Sequence, residues 1–318
     1  MTDVPTQVRI NEEGPREGFQ FERGPIATDA KIALVDALSK TGLRQIQVCS
    51  FVNPERVPGM ADADAVATGF ARHEGVAYTA LWLNERGFER ALAVGTLDLA
   101  GSISMGASEA FMWRNQNRGF AENTVVQDRM VKRYLAAGLK VERASMMAAF
   151  GCNFEGDVPV ARVLDLVEET MRIAAANGVA IKVYSFADTM AWATPDRVRR
   201  LVGAVRERWP ELQVALHLHD TRGMGIANAY AGLEMGVAIF DASIAGLGGC
   251  PFAGHTAAAG NVCTEDLAFL CAEMGIETGL DLEALSAAAR LAEEVVGHPL
   301  PGSVMKAGSL AARRRELA

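Results

Sequence analysis

Histidine is scarce in this chain, with five among 318 residues, and cysteine is equally scarce, also with five. No apolar run reaches the roughly 18 residues that a membrane-spanning helix needs, so no membrane partner is expected. An odd, scattered set of cysteines is a poor disulfide framework and fits a reducing compartment. Basic charge is in deficit: 31 Lys and Arg against 39 Asp and Glu leave −8, which argues against nucleic acid as a partner. The opening stretch MTDVPTQVRINEEGPREG has neither a basic n-region nor an apolar h-region. No secretion signal is therefore expected, and the cytoplasm is the expected location. A G-x-G-x-x-G turn opening a helix is also missing, which counts against a dinucleotide-binding doubly wound sheet.

Scarcity makes the position of each histidine informative. Residues 214–221 read VALHLHDT, placing His217 and His219 two apart in an apolar, β-compatible run, with Asp220 next. Successive strand residues face opposite sides, so a spacing of two aims both imidazoles into one small volume. Two convergent imidazoles supply half of a divalent-cation site, whereas a lone histidine reads more simply as a hydrogen-bonded core residue.

The rest of the chain alternates β-rich runs with helical patterns. QVRINE (7–12) precedes ATDAKIALVDALSKTG (27–42); RQIQVCSF (44–51) precedes a helix near 62–74; VAYTALWL (76–83) precedes GFERALAVG. LDLAGSISM (97–105) leads to a helix at 122–137, KVERASMMAAF (140–150) to one at 158–178, and VAIKVYSFADT (179–189) to TPDRVRRLVGAVRERW. The VALHLHDT strand is followed by GMGIANAYAGLEMG, and AIFDASIAG (238–246) by TEDLAFLCAEMG. Eight strand–helix units with short connections predict an α/β fold, a (β/α)8 TIM barrel, as one catalytic domain over 1–318. Residues 281–297 predict an extra C-terminal helix, and an irregular, mildly basic tail follows within the 281–318 extension.

Functional groups of a barrel gather where strands end, which singles out Arg16, Glu17, Gln47, Asp188, His217, His219, Asp220 and Cys250. An arginine fork beside an acid can hold a developing oxyanion while the acid ligates a cation. The loop GLGGCPFAGHTAAAGN (246–261) is rich in Gly and Ala and can lie close over a ligand; its Cys250 can move a proton as it closes. His255 in that loop reads by itself as solvent-facing. Mixed His, carboxylate and amide donors, with Asn261 as the amide, suit Mg²⁺, Mn²⁺ or Co²⁺ better than a tetrahedral structural zinc.

GPREGFQFE, SFVNPERVPGMAD, FGCNFEGDV, HLHDTRGMGIAN, GLGGCPFA and GNVCTEDL occur in that order. Together they resemble the 3-hydroxy-3-methylglutaryl-CoA lyase family of metal-dependent barrel lyases, over about residues 7–308. The resemblance implies Glu17, His217, His219 and Asn261 as cation ligands. It implies Arg16 stabilising an enolate, Asp188 relaying the hydroxyl proton and Cys250 protonating the carbanion. Gln47, Asn53 and His255 stand as substrate-contact candidates. The implied reaction is a retro-aldol, retro-Claisen cleavage of a 3-hydroxyacyl-CoA to acetyl-CoA or another acyl-CoA plus a keto acid or ketone. The implied state is a homo-oligomer, a dimer. Three departures mark the site. The family pattern GPRDGLQNE has Asp where Glu17 stands, IETTSFV has Glu where Gln47 stands, and the run from Cys250 to Asn261 is two residues longer. They point to a different substrate or to weak activity on the usual one. An aldolase acting on a non-CoA hydroxy-keto acid, or a catalytically degenerate ligand-binding homologue, remain the alternatives.

Overall fold

Eight strands of four or more residues alternate with helices in the computed structural model, which describes residues 3–22, 24–249 and 260–317. β1 (Arg9–Glu12) leads into α1 (Gly14–Phe21) and α2 (Thr28–Leu38), and β2 (Gln45–Ser50) into α3 (Ala63–Gly69). β3 (Ala77–Leu81) leads into α4 (Glu85–Val94), and β4 (Gly101–Gly106) into α5 (Glu109–Gln116) and α6 (Phe120–Ala136). β5 (Val141–Met147) is followed by α7 (Val160–Ala176), and β6 (Val183–Ala187) by α8 (Pro195–Arg208). β7 (Gln213–His217) is followed by α9 (Gly225–Glu234), and β8 (Ile239–Ala242) by α10 (Thr264–Glu273). α11 (Leu282–Val296), α12 (Val304–Ala307) and α13 (Leu310–Leu317) end the chain. Among the described residues no helix is long and apolar enough to cross a membrane.

The expected order of strands and helices is present, with three differences. The stretch after β1 is a helix, α1, although two glycines and a proline make it a poor helix former. Pro15 is tolerated in its first turn, where no intrahelical donor is lost. The tail expected to be irregular carries α12 and α13, and α5 stands where no helix is expected. Ser108 caps α5 by accepting from the Phe111 N–H at 3.1 Å, a local signal of the usual kind.

Two compact bodies divide these elements, one comprising residues 6–98, 241–249 and 260–317, the other 3–5 and 99–240. In the first, β1, β2 and β3 are parallel, with Glu12 opposite Ile46, and Gln47 opposite Thr79. The helix α2 buries Leu34, Val35 and Leu38, one stripe of its surface. In the second, β4 to β7 are parallel in chain order. Tyr184 faces Val214, Phe186 faces Leu216 and Ala187 faces His217. That register brings the chain leaving β6 beside His217, whose carbonyl accepts from the Asp188 N–H at 2.8 Å.

The end of β1 carries an unusual burden of buried polarity. Glu12 is fully buried; one carboxyl oxygen accepts from the backbone N–H of Gly14 at 2.7 Å and of Ile244 at 2.9 Å. The other accepts from the Thr264 hydroxyl at 2.7 Å, so one side chain ties the starts of α1 and α10 and the turn after β8. A β-carbon at position 14 would come 2.6 Å from the Glu12 carboxyl, which is why glycine follows. Burial pushes the Glu12 carboxyl up from 4.5 to about 8, outweighing the donors that favour its charged form.

Because the folded-state value is raised, the contribution of Glu12 to stability is complete below about pH 4.5 and is lost as pH rises through about 8. Glu12→Gln keeps an acceptor for both backbone N–H groups, and the Thr264 hydroxyl can turn to accept from the amide. It is expected to cost about 1 kcal/mol near pH 5 and to flatten the decline in stability toward pH 8. Glu12→Ala strands two buried N–H groups and is expected to cost about 3 kcal/mol. Urea-denaturation midpoints at the two pH values measure both.

Candidate active site

In the first body the site begins with α1. The Arg16 and Glu17 N–H groups bond back to the Glu13 carbonyl at 3.1 and 2.8 Å, and Phe19 is buried as the helix anchor. Glu13 is itself fixed, its N–H donating to the Ala242 carbonyl at the end of β8 at 2.8 Å. Arg16 is buried and splits its donors three ways. It reaches the Glu13 carboxylate at 2.7 Å, the Glu17 carboxylate at 2.9 Å, and, through Nε, the side-chain oxygen of Gln47. Burial by itself would lower the Arg16 pKa; the charges of Glu17 and Glu13 more than offset this and raise it. An arginine has donors and no acceptor, so the Gln47 carbonyl oxygen faces it and the amide nitrogen turns the other way.

Asn261 completes this half. It is buried, and its amide nitrogen donates to the Glu17 carboxylate and, at 3.3 Å, to the Leu247 carbonyl. Its side-chain oxygen is buried without a hydrogen-bond partner among the described residues. Gly248 holds φ at +101°, and a β-carbon there would come 2.7 Å from the Asn261 amide nitrogen. The glycine is required for the backbone to approach this closely.

In the second body His217 ends β7 and His219 lies two residues beyond it, both buried. Their ring centroids lie 5.2 Å apart at an interplanar angle of 73°. His219 Nδ1 sits 2.7 Å from the Asp188 carbonyl, which fixes Nδ1 as the protonated nitrogen and leaves the lone pair on Nε2. The Asp188 carboxyl accepts the backbone N–H of Trp192 at 2.7 Å and of Ala193 at 2.9 Å through one oxygen. Its other oxygen is buried with no partner among the described residues. Burial pushes this carboxyl up to about 7, against the pull of those two N–H groups, Arg222 and His217.

The expected residues therefore form two sets: Arg16, Glu17, Gln47 and Asn261 in one body, and Asp188, His217 and His219 in the other. Asn53 is exposed, and its side-chain oxygen accepts from the Glu55 N–H at 2.9 Å in a local turn. Cys250 and His255 lie outside the described residues. Asp220, conspicuous after the histidines, accepts from the Gly225 N–H at 2.6 Å and so shapes the turn into α9. Sequence reading passed over Glu12 and Glu13. The available signal was a pair of acids ending an apolar strand, which only a buried hydrogen-bonding role would explain.

A family model described as HMGL-like matches residues 7–292. The chain is 40% identical over 297 residues to the hydroxymethylglutaryl-CoA lyase YngG of Bacillus subtilis, covering 93% of this chain and 96% of that one. A solved HMG-CoA lyase from the same species superposes with a TM-score of 0.88 at 39% identity, over 96% of this chain and 98% of that one. An HMG-CoA lyase from Acinetobacter baumannii, solved in complex with coenzyme A and 3-methylmalate, superposes with a TM-score of 0.86. It is 34% identical, over 97% of this chain and 96% of that one. The chain belongs to the HMGL-like family and has the (β/α)8 TIM-barrel fold of its HMG-CoA lyases.

Proposed function

We propose that this chain is a divalent-cation-dependent carbon–carbon lyase. Its substrate is a 3-hydroxy-3-methylglutaryl-CoA-like thioester, cleaved to acetyl-CoA and a keto acid. The family depends on a divalent cation, and Mg²⁺ or Mn²⁺, with Co²⁺ as a substitute, suits the donors proposed here: Glu17, Asn261, His217 and His219. The observation that carries this reading is the Asn261 side-chain oxygen, fully buried without a hydrogen-bond partner among the described residues while its nitrogen is spent on Glu17. A buried carbonyl oxygen left so costs free energy that a cation would recover. The relative crystallised with coenzyme A and a hydroxy dicarboxylate supports a CoA thioester as the substrate. We further assign residues 1–318 to one catalytic domain, with 281–318 as its C-terminal extension, acting as a homodimer in the cytoplasm.

Cleavage breaks the C2–C3 bond. The hydroxyl on C3 loses its proton and becomes the carbonyl of the keto acid, and the bonding pair passes to C2 as a thioester enolate. C2 is then protonated to give the acetyl thioester. A bound divalent cation supplies Lewis acidity to the hydroxy-acid end of the substrate. Asp188 receives the hydroxyl proton at the carboxyl oxygen its backbone donors do not use. Arg16, locked by Glu13, Glu17 and Gln47, offers a fixed positive charge to the enolate oxygen, with no reorganisation during the reaction. Cys250 returns a proton to C2 from its loop.

Protein stripped with chelator is expected to be inactive toward this thioester and to recover with Mg²⁺, Mn²⁺ or Co²⁺. A panel that adds citramalyl-CoA and longer-branched 3-hydroxyacyl-CoA esters identifies the preferred acyl group. No turnover across the panel, with a cation still bound, would sink the lyase assignment. Arg16→Met is expected to lower kcat about a thousandfold with the fold retained, since it removes charge where the oxyanion develops. Cys250→Ala is expected to abolish turnover while leaving Mn²⁺ binding intact; kinetics and isothermal titration on one preparation separate the two effects.

A further inference from the structure

The turn between β6 and α8 accepts more hydrogen bonds than its length explains. Asp188, Thr189, Met190 and Ala191 form a turn closed by the Ala191 N–H donating to the Asp188 carbonyl at 3.0 Å. The same carbonyl holds His219 Nδ1 at 2.7 Å. Ala191 sits at φ +55°, in the left-handed region, which a residue with a β-carbon occupies at a cost of order 1 kcal/mol. Three residues past His219, Arg222 donates through one nitrogen, Nη1, to both the Met190 and Ala191 carbonyls at 2.8 Å. Asn228, in the first turns of α9, donates to the Ala193 carbonyl at 3.2 Å. The segment 219–228 thus holds four carbonyls of 188–193 from its own side, and Arg222 holds the two at the strained end.

We infer that Arg222 is a positioning residue for the cation ligand His219, acting through this turn. Arg222 itself is exposed and is not proposed to touch substrate. Its guanidinium keeps the left-handed turn formed; the turn keeps the Asp188 carbonyl aimed at Nδ1; that bond fixes the His219 tautomer and the direction of Nε2. Lysine in its place could still reach both carbonyls with one ammonium, whereas methionine could reach neither. This inference rests on the reading of His219 as a ligand.

The test is Mn²⁺ affinity measured by titration calorimetry on metal-free Arg222→Met, Arg222→Lys and His219→Ala, beside the unsubstituted protein. Arg222→Met is expected to weaken Mn²⁺ binding about tenfold, the lower end of the range for groups that orient a ligand, and Arg222→Lys to stay within about threefold. Long-range proton–nitrogen NMR of the metal-free protein is expected to show the Nδ1–H tautomer of His219, and a tautomer mixture in Arg222→Met. A folded Arg222→Met that keeps full Mn²⁺ affinity and a single tautomer overturns the inference. If instead His219→Ala binds Mn²⁺ as well as the parent, the ligand assignment itself has failed. Should Arg222→Met not fold, a tenfold loss confined to Arg222→Gln supports the inference, and undiminished affinity there overturns it.

Discussion

One buried carboxyl, that of Glu12, sets where half of the candidate site stands. An acid at the end of a core strand must find donors or it costs several kcal/mol. Glu12 finds them in three segments far apart in sequence: Gly14, Ile244 and Thr264. Each leads directly to a functional group. Gly14 opens the helix with Arg16 and Glu17, Ile244 starts the turn that runs to Leu247 and Gly248, and Thr264 lies three residues past Asn261. The Arg16–Glu17–Asn261 arrangement is thus held by backbone anchored on one side chain, which is how a short, glycine-rich helix can present an arginine with fixed geometry.

The second body solves the same problem with a carbonyl. The oxygen of Asp188 accepts from the Ala191 N–H and the His219 ring, while the side chain of the same residue accepts two more N–H groups from 192 and 193. One residue therefore orients the imidazole through its main chain and, through its side chain, leaves one buried oxygen without a partner among the described residues. The β6–β7 register also matters, since Ala187 opposite His217 delivers Asp188 to that spot.

How much of this was legible before the structure follows from how local each signal is. The strand–helix alternation was legible because strands of four to seven residues and amphipathic helices declare themselves over short windows. The histidine pair was legible because a period of two on a strand fixes direction, although the strand proper ends at His217. The helix α1 was not, because EGPREGFQF is rich in residues that disfavour a helix, and Glu12 and Glu13, on which it starts, are fixed by bonds to Ala242, Ile244 and Thr264 that no short window contains. The same holds for Gln47, the one partner of Arg16 that comes from a distant element, β2. Asn53 shows the limit of a motif: its position is read from SFVNPERVPGMAD, whereas its side-chain oxygen accepting the Glu55 N–H appears only in the structure.

The substitutions that separate this site from its family pattern make sense as a pair. With glutamate at position 47, Arg16 would face three carboxylates, and the cluster would carry a net charge of −2 in a buried place. Gln47 leaves two carboxylates against one guanidinium, a net −1, and keeps the Nε contact through its carbonyl oxygen. Its amide nitrogen then faces away from Arg16 as a donor, where a glutamate would present a second acceptor. Glu17, one methylene longer than aspartate, spans both Arg16 and the Asn261 amide from the helix backbone. Gln47 thus lowers the negative charge around Arg16 and adds a donor, and the longer acid supplies the reach that keeps Asn261 in line. The two changes lower the negative charge of the cluster without loosening Arg16, which keeps all three of its partners.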